Sequence, residues 1–242
     1  MRHRIYTPEA IVAGTEIAVT GDELHHAARA VRIREGERVE LFDGRGGAAG
    51  GIVVRLEREA LTVRVETPLP SRESPLALTL AMSIIQLDKF ELVLQKATEL
   101  GVQAIVPLVA DRVEVRPERY RGKADRWEKI VFEAVKQCGR AVIPRLDAPA
   151  TFDEVLLRDG TKTVFDADEA ETVTPPDGGP TPETMERTLL IGPEGGFSER
   201  ELALARDQGC RFERLGPRRL RAETAAIVAC VVAAGRHGDL RR

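Results

Sequence analysis

Leu76-Ala77-Leu78-Thr79-Leu80-Ala81-Met82 is the stretch whose reading decides the fold. One hydroxyl and no charge in such a run suit a strand buried on both faces, as in a parallel sheet covered by helices. A helix is predicted over about 88–100, with Leu87, Phe90, Leu94 and Ala97 at 3-4 spacing and Gly101 as its stop. Ala104-Ile-Val-Pro-Leu-Val109 reads as the next strand. A second helix over about 123–137 carries Trp127, Ile130, Val131 and Ala134. This alternation indicates an α/β domain with a mostly parallel sheet. Strand grammar returns at Thr188-Leu-Leu-Ile191. Ser198-Glu-Arg-Glu201 is a capping box, and Gly209 closes the helix that it opens. Residues 212–215 form a short strand and 223–234 a last helix. Residues 166–186, rich in Pro and Gly, read as a mobile loop.

Upstream, Leu69-Pro70-Ser71-Arg72-Glu73-Ser74-Pro75 reads as a linker. The first seventy residues alternate in period two at 37–43, 52–56 and 61–65, which suggests a meander or small barrel. One helix interrupts it near 22–31, with Thr20 or Asp22 as cap.

With 31% charged residues and no long apolar run, the sequence excludes a membrane span. Met1-Arg2-His3-Arg4-Ile5-Tyr6 has no apolar run behind it, so no secretory signal is expected. Cys138, Cys210 and Cys230 are odd in number and far apart, which fits a reducing cytoplasm and neither a disulfide framework nor a metal pair. The net charge of −3 argues against a general nucleic-acid binder, but charge is sorted along the chain. Residues 112–145 hold ten basic and five acidic side chains, 146–186 two and eleven, and 211–221 five and one. Of the 36 basic residues 30 are Arg, through codon bias or because guanidinium forks suit phosphates; sorting of this kind is not a codon effect. It can steer a polyanion to one face, although a solvated surface is the plainer reading of any one block.

Two loops concentrate the candidate chemistry. Ile191-Gly192-Pro193-Glu194-Gly195-Gly196-Phe197 leaves a buried strand and enters a capped helix. Its glycines let a ligand approach the backbone, where free N–H groups hold anionic or polar groups. No Lys-Ser or Lys-Thr follows, so it is not a P-loop. Leu215-Gly216-Pro217-Arg218-Arg219-Leu220-Arg221-Ala222-Glu223-Thr224-Ala225 also joins a strand end to a helix. Ligands of open α/β sheets sit at the carboxyl ends of the strands, so both loops are expected to converge on one pocket. Gly44-Arg45-Gly46-Gly47-Ala48-Ala49 matches a dinucleotide fingerprint, but it lies in a hairpin with no helix after it and fails that test. His3, His25, His26 and His237 make no zinc spacing with a cysteine, and no metal site is expected.

At these loops the sequence resembles the ribosomal small-subunit RNA methyltransferase E family, the 16S rRNA uridine-N3 methyltransferases of the SPOUT superfamily. The resemblance is carried by His26-Ala-Ala-Arg29-Ala-Val-Arg32, Gln95-Lys96-Ala-Thr-Glu99-Leu100-Gly101-Val102, Gln137-Cys138-Gly139-Arg140, Leu190-Ile191-Gly192-Pro193-Glu194-Gly195-Gly196 and 215–224, in this order. It implies a small PUA-like β-barrel over 1–70 that helps hold RNA. It implies a SPOUT-type domain over 75–242, with a mostly parallel sheet, helices on both faces and a C-terminal trefoil knot. It further implies S-adenosylmethionine as cofactor, 16S rRNA or the small ribosomal subunit as partner, a homodimer, and a cytoplasmic place of work. The matching cofactor segments are Leu190, Ile191, Gly192, Pro193, Glu194, Gly195, Gly196, Leu215, Gly216, Leu220, Arg221, Ala222, Thr224 and Ala225. Ala222 and Ala225 stand where threonines are common in the family, and Lys136 where an acidic residue is common.

Methyl transfer to a ring nitrogen is an in-line displacement that demands alignment and loss of a weakly acidic N3 proton. A guanidinium would stabilise the charge left on the ring, and Arg221 is the first candidate. Glu223 orients Arg221 or accepts the proton, with Glu194 in reserve; the alternative is a structural Arg221–Glu223 ion pair. For RNA the candidates are Arg29 and Arg32 on one helix face, His26, Arg4 and Arg140, each against the alternative of an ordinary surface side chain. Aromatic residues make up 4%, so extensive stacking of bases on rings is not expected. A non-catalytic RNA-binding or ribosome-assembly protein of the same fold, and a phosphate-binding hydrolase, are the competing readings.

Overall fold

The computed structural model describes residues 3–114, 120, 122–167 and 186–240. The chain forms two compact units, Met1–Glu73 with Val135–Ile143, and Ser74–Ala134 with Pro144–Arg242.

In the first unit, β1 (His3–Tyr6), β2 (Glu16–Val19), β3 (Arg38–Phe42), β4 (Ala48–Leu56) and β5 (Leu61–Pro68) form one sheet in the order β1-β3-β4-β5-β2. The β1–β3 pair is parallel and the others antiparallel. Alternate residues, among them Ile17, Val39, Leu41, Leu61 and Val63, close a core of their own. Bulges at Gly50/Gly51 and Val53/Arg55 bend β4. A Cβ on Gly51 would lie 2.7 Å from Val63 Cγ1 and 2.8 Å from the Arg64 carbonyl, so the approach of β5 requires glycine. The Gly44-containing stretch enters an antiparallel strand, and no helix follows it.

The single helix expected over 22–31 is two pieces. α1 (Gly21–His25) runs into a π-helical turn, His26–Val31. Thr20 holds the cap position with extended backbone, but its hydroxyl makes no capping bond, and Asp22 lies inside the first turn. Arg32 ends the turn at φ 56°, the one described non-glycine residue in the left-handed region.

The segment Val135–Ile143 is bound into this unit by a guanidinium. Arg4 donates to the carbonyls of Val135 (2.7 Å), Lys136 (3.3 Å) and Arg140 (2.7 Å) and pairs with Glu40 at 2.8 Å. It thereby caps the last carbonyls of α3 (Ala124–Cys138) with a cation, where the helix dipole favours one. Glu73 accepts from Arg140 Nε (2.9 Å) and from the N–H groups of Ala141 and Val142. The expectation that Arg4 and Arg140 meet RNA is therefore corrected: Arg140 is buried, Arg4 is nearly so, and the donors of both are taken up by carbonyls and carboxylates of the protein.

The second unit is a parallel sheet. Its strands are β6 (Ala77–Ser83), β7 (Ala104–Val109), β8 (Arg145–Leu146), β9 (Ala150–Thr151), β10 (Thr161–Phe165), β11 (Glu186–Ile191) and β12 (Arg211–Glu213), in the order β12-β10-β11-β6-β7-β8, with β9 also on β7. Leu78, Leu80, Ala81 and Met82 of β6 are all buried, as the uninterrupted apolar run requires. α2 (Leu87–Glu99) and α6 (Ala222–His237) pack together, and α6 also lies on β6 and β11. Ala81, Val106, Leu108, Val164 and Leu190 share a core with α4 (Phe152–Leu156) and α5 (Glu199–Asp207). The expected loop 166–186 falls largely at 168–185, outside the described residues. β8, β9, α4 and β10 were not expected; each has five residues or fewer, too short for a periodic signal.

Replacing Arg4 by Met should lower unfolding free energy in urea by about 3–5 kcal/mol, because it leaves the buried Glu40 with only the half-exposed Arg72, 3.6 Å away, as a cation. Adding Glu40→Gln should recover part of the loss. A single-variant change below about 0.5 kcal/mol would show that the clamp contributes little.

Candidate functional site

Parallel pairing aligns the carboxyl ends of β12, β10 and β11, and a cavity of about 570 Å3 opens there. Both glycine-bearing loops line it. From the first come Ile191, Gly192, Pro193, Glu194, Gly195 and Gly196, and from the second Leu215, Leu220, Arg221, Ala222 and Ala225.

The first loop is a tight turn. Gly196 N–H donates to the Pro193 carbonyl at 2.9 Å, and Gly196 sits at φ +68°, where a side chain would be strained. A Cβ on Gly192 would come within 3.3 Å of the Phe197 ring. Phe197 is in turn fixed edge-on against Phe152, with centroids 5.0 Å apart.

The capping box that opens α5 has a second function. Ser198 accepts from Glu201 N–H, and Glu201 accepts from Ser198 N–H at 2.8 Å. The same carboxylate, fully buried, accepts from Asp111 N–H at 3.0 Å. Ser198 Oγ donates to Asp111 Oδ2 at 2.6 Å, and Arg200 bridges Asp111 and Asp153. Arg200 and Ser198 hold the Asp111 carboxyl below its ordinary pKa. Its contribution is thus present above the ordinary carboxylate range and is lost only as pH falls through the lowered value. The loop after β7 is in this way strapped to the glycine loop, and Arg112 completes the strap by donating to the Gly195 carbonyl at 3.2 Å.

The second loop turns at Gly216 (φ +91°), and Arg214 Nη2 donates to the Pro217 carbonyl at 3.2 Å. Arg221 holds the N-cap position of α6 with extended backbone (φ −66°, ψ 153°) and makes no side-chain cap. The free N–H groups of the first turn therefore begin at the cavity wall.

Not every expected residue is on that wall. Leu190 is buried behind it in β11, and Gly216 and Thr224 are exposed but do not line it. Glu223 does not line it either. Its Oε2 is buried without a hydrogen-bond partner, and no ion pair joins it to Arg221. The structural ion pair considered from sequence is thus not formed. His26, Arg29 and Arg32 are exposed in the first unit. Arg112, Phe165, Asp166, Phe197 and Arg218 also line the cavity and were not singled out as ligands. Phe165 ends β10, which gives no readable signal, and Asp166 follows it; Arg218 lies within the second loop. No cluster of three or more His, Cys, Asp or Glu side chains able to hold a metal occurs among the described residues. No helix among them is long and apolar enough to cross a membrane.

Two family models match the chain: an RNA methyltransferase domain over residues 72–234 and an RNA methyltransferase PUA domain over 19–66. The ribosomal RNA small subunit methyltransferase E of Synechocystis sp. is 31% identical over 229 residues, spanning 93% of this chain and 74% of that protein. The protein of the same name from Bacillus subtilis is 30% identical over 233 residues, spanning 92% and 91%. Among solved structures, the ribosomal RNA small subunit methyltransferase E of Neisseria gonorrhoeae, bound to S-adenosyl methionine, superposes with a TM-score of 0.88 at 30% identity over 100% of both chains. A Legionella pneumophila protein in complex with the bound cofactor SAM superposes with a TM-score of 0.86 at 33% identity, over 99% of this chain and 100% of that one.

Glu201→Ala empties a buried site and leaves the part-buried N–H groups of Ser198 and Asp111 without acceptors, and should cost about 2–4 kcal/mol in guanidinium unfolding. A loss below about 0.5 kcal/mol would contradict the strap.

Proposed function

We propose that this chain, which belongs to the ribosomal RNA small subunit methyltransferase E family, transfers a methyl group to N3 of one uridine in 16S rRNA. The chain is an S-adenosylmethionine-dependent RNA methyltransferase; the atom, the base and the rRNA are the proposal. The observation that carries it is the single cavity built by two distant glycine-bearing loops with Arg221 on its wall.

The cavity suits the cofactor. Its volume of about 570 Å3 lies within the usual ligand range of roughly 300–1,000 Å3. Ile191, Leu215, Leu220 and Phe197 offer apolar contact, while Asp166 and the backbone of 192–196 offer polar groups. The missing side chains at Gly192 and Gly196 leave the close approach to the backbone open. Residues 191–196, 215, 220–222 and 225 would hold the cofactor, which supplies a methyl group made electrophilic by a sulfonium.

The chain's own residues have the remaining tasks. Arg221 faces the cavity and stabilises the negative charge that N3 deprotonation leaves on the ring. Glu194, on the same wall and exposed, takes the proton; Glu223, off the wall, does not fit that task. His26, Arg29 and Arg32 hold RNA from the first unit, which we assign to residues 1–70, with the methyltransferase domain over 75–242. The resemblance also supports a C-terminal trefoil knot, a cytoplasmic location and a homodimer. Leu92 on α2 and Val231 on α6, each 42% exposed on helices that pack together, support the dimer.

Mass spectrometry of 16S rRNA from a deletion strain should show one N3-methyluridine lost, and the purified chain with S-adenosylmethionine should restore it. An unchanged methylation pattern would overturn the proposal. Arg221→Ala should abolish restoration while cofactor affinity stays within a few-fold; surviving turnover would remove Arg221 from the mechanism. Arg29→Ala should lower the log–log salt slope of RNA binding by roughly 1, and an unchanged slope would remove it from the RNA contact.

A further inference from the structure

The first residue of the basic stretch 112–145 and several of 211–221 lie at the same cavity. Arg112, the first residue of one, and Arg218, inside the other, both line the cavity mouth and are exposed. Neither makes an ion pair among the described residues. Elsewhere in the same unit, Arg126, Arg145, Arg158, Arg200 and Arg236 each meet a carboxylate within 3.1 Å. The carboxylate beside Arg112, that of Asp111, is already bonded to Arg200 and Ser198. Arg112 itself gives one donor to the Gly195 carbonyl, and the rest of its fork makes no hydrogen bond among the described residues. Exposed guanidiniums outside any ion pair keep donors free for an anion, and five arginines (112, 214, 218, 219 and 221) against four carboxylates (Asp166, Glu194, Glu199 and Glu213) line this cavity.

The methyl donor is a poor candidate for that anion, because its sulfonium and ammonium outweigh its carboxylate. The RNA is the better one. A base that presents N3 to the cavity must leave its stack, and its phosphate then remains at the rim. We infer that Arg112 and Arg218, reaching from separate loops, form a clamp for an RNA phosphate next to the target nucleotide and so fix how far the base enters. The inference rests on the cavity being the methyl-donor site, and it concerns residues that neither the sequence reading nor the proposed chemistry assigned.

The test uses the full chain and small ribosomal subunits from the deletion strain, with binding followed across a salt series. Arg112→Ala and Arg218→Ala should each weaken subunit binding about tenfold and lower the log–log salt slope by roughly 1, and the double variant by roughly 2. Arg112→Lys should restore the slope, since it keeps the charge, which separates phosphate contact from a purely structural role for Arg112 in holding Gly195. Calorimetry with S-adenosylmethionine should show donor affinity changing far less than subunit affinity. Slopes equal to wild type would overturn the clamp. A parallel collapse of donor affinity would also overturn it, by making the guanidiniums ligands of the donor's carboxylate. Slopes are read without turnover, so a wild-type chain that binds no S-adenosylmethionine would instead refute the reading of the cavity.

Discussion

The site depends on one constraint of parallel pairing. Strands that run the same way deliver all their exits to one edge, and register decides which exits are neighbours. Here β10 pairs with β11 on one side and with β12 on the other, so Phe165 stands level with Ile191 and Glu213. The chain leaving Ile191 and the chain leaving Glu213 therefore emerge at one edge, on either side of the exit of β10, although more than twenty residues separate them. Everything chemical in the second unit follows from that adjacency. Glycines at 192 and 196 leave room at the backbone, and the extended N-cap Arg221 starts a helix at the same wall.

Buried charge then does the holding, in two places and by the same logic. A buried ion is tolerable only if its hydrogen-bonding capacity is filled. Glu201 fills its capacity with backbone N–H groups from two loops, and this ties the start of α5 to the loop after β7. Arg4 fills its own with carbonyls from the end of α3 and with Glu40. Each makes a short sequence motif do more than its local reading suggests: a capping box becomes a strap, and an N-terminal arginine becomes a clasp.

Those two cases also show what was legible in the sequence. The apolar run at Leu76, the glycine stops, the capping box at Ser198 and the two glycine loops are local signals, and the structure contains each of them. The partners of charged groups are not local. Nothing in the sequence near Arg4 announces that carbonyls over 130 residues away will surround it. Arg4 and Arg140 are RNA candidates by their places near the N-terminus and at the end of a helix, and their engagement with Glu40 and Glu73 is what corrects that reading. Glu223 was placed at the site by proximity to Arg221, but it lies two residues on, and at about 100° per step along a helix its side chain turns off the wall that Arg221 and Ala222 line. β10 escaped notice because Thr161-Lys162-Thr163 disguises a buried strand, and with it went Asp166.

Hydrogen exchange with and without S-adenosylmethionine tests the central claim most directly. One donor held between the two loops should slow exchange of backbone amides at 192–197 and at 215–225 together, and in the same concentration range. Slowing confined to one of these segments, or to neither while the compound binds elsewhere, would contradict a shared pocket.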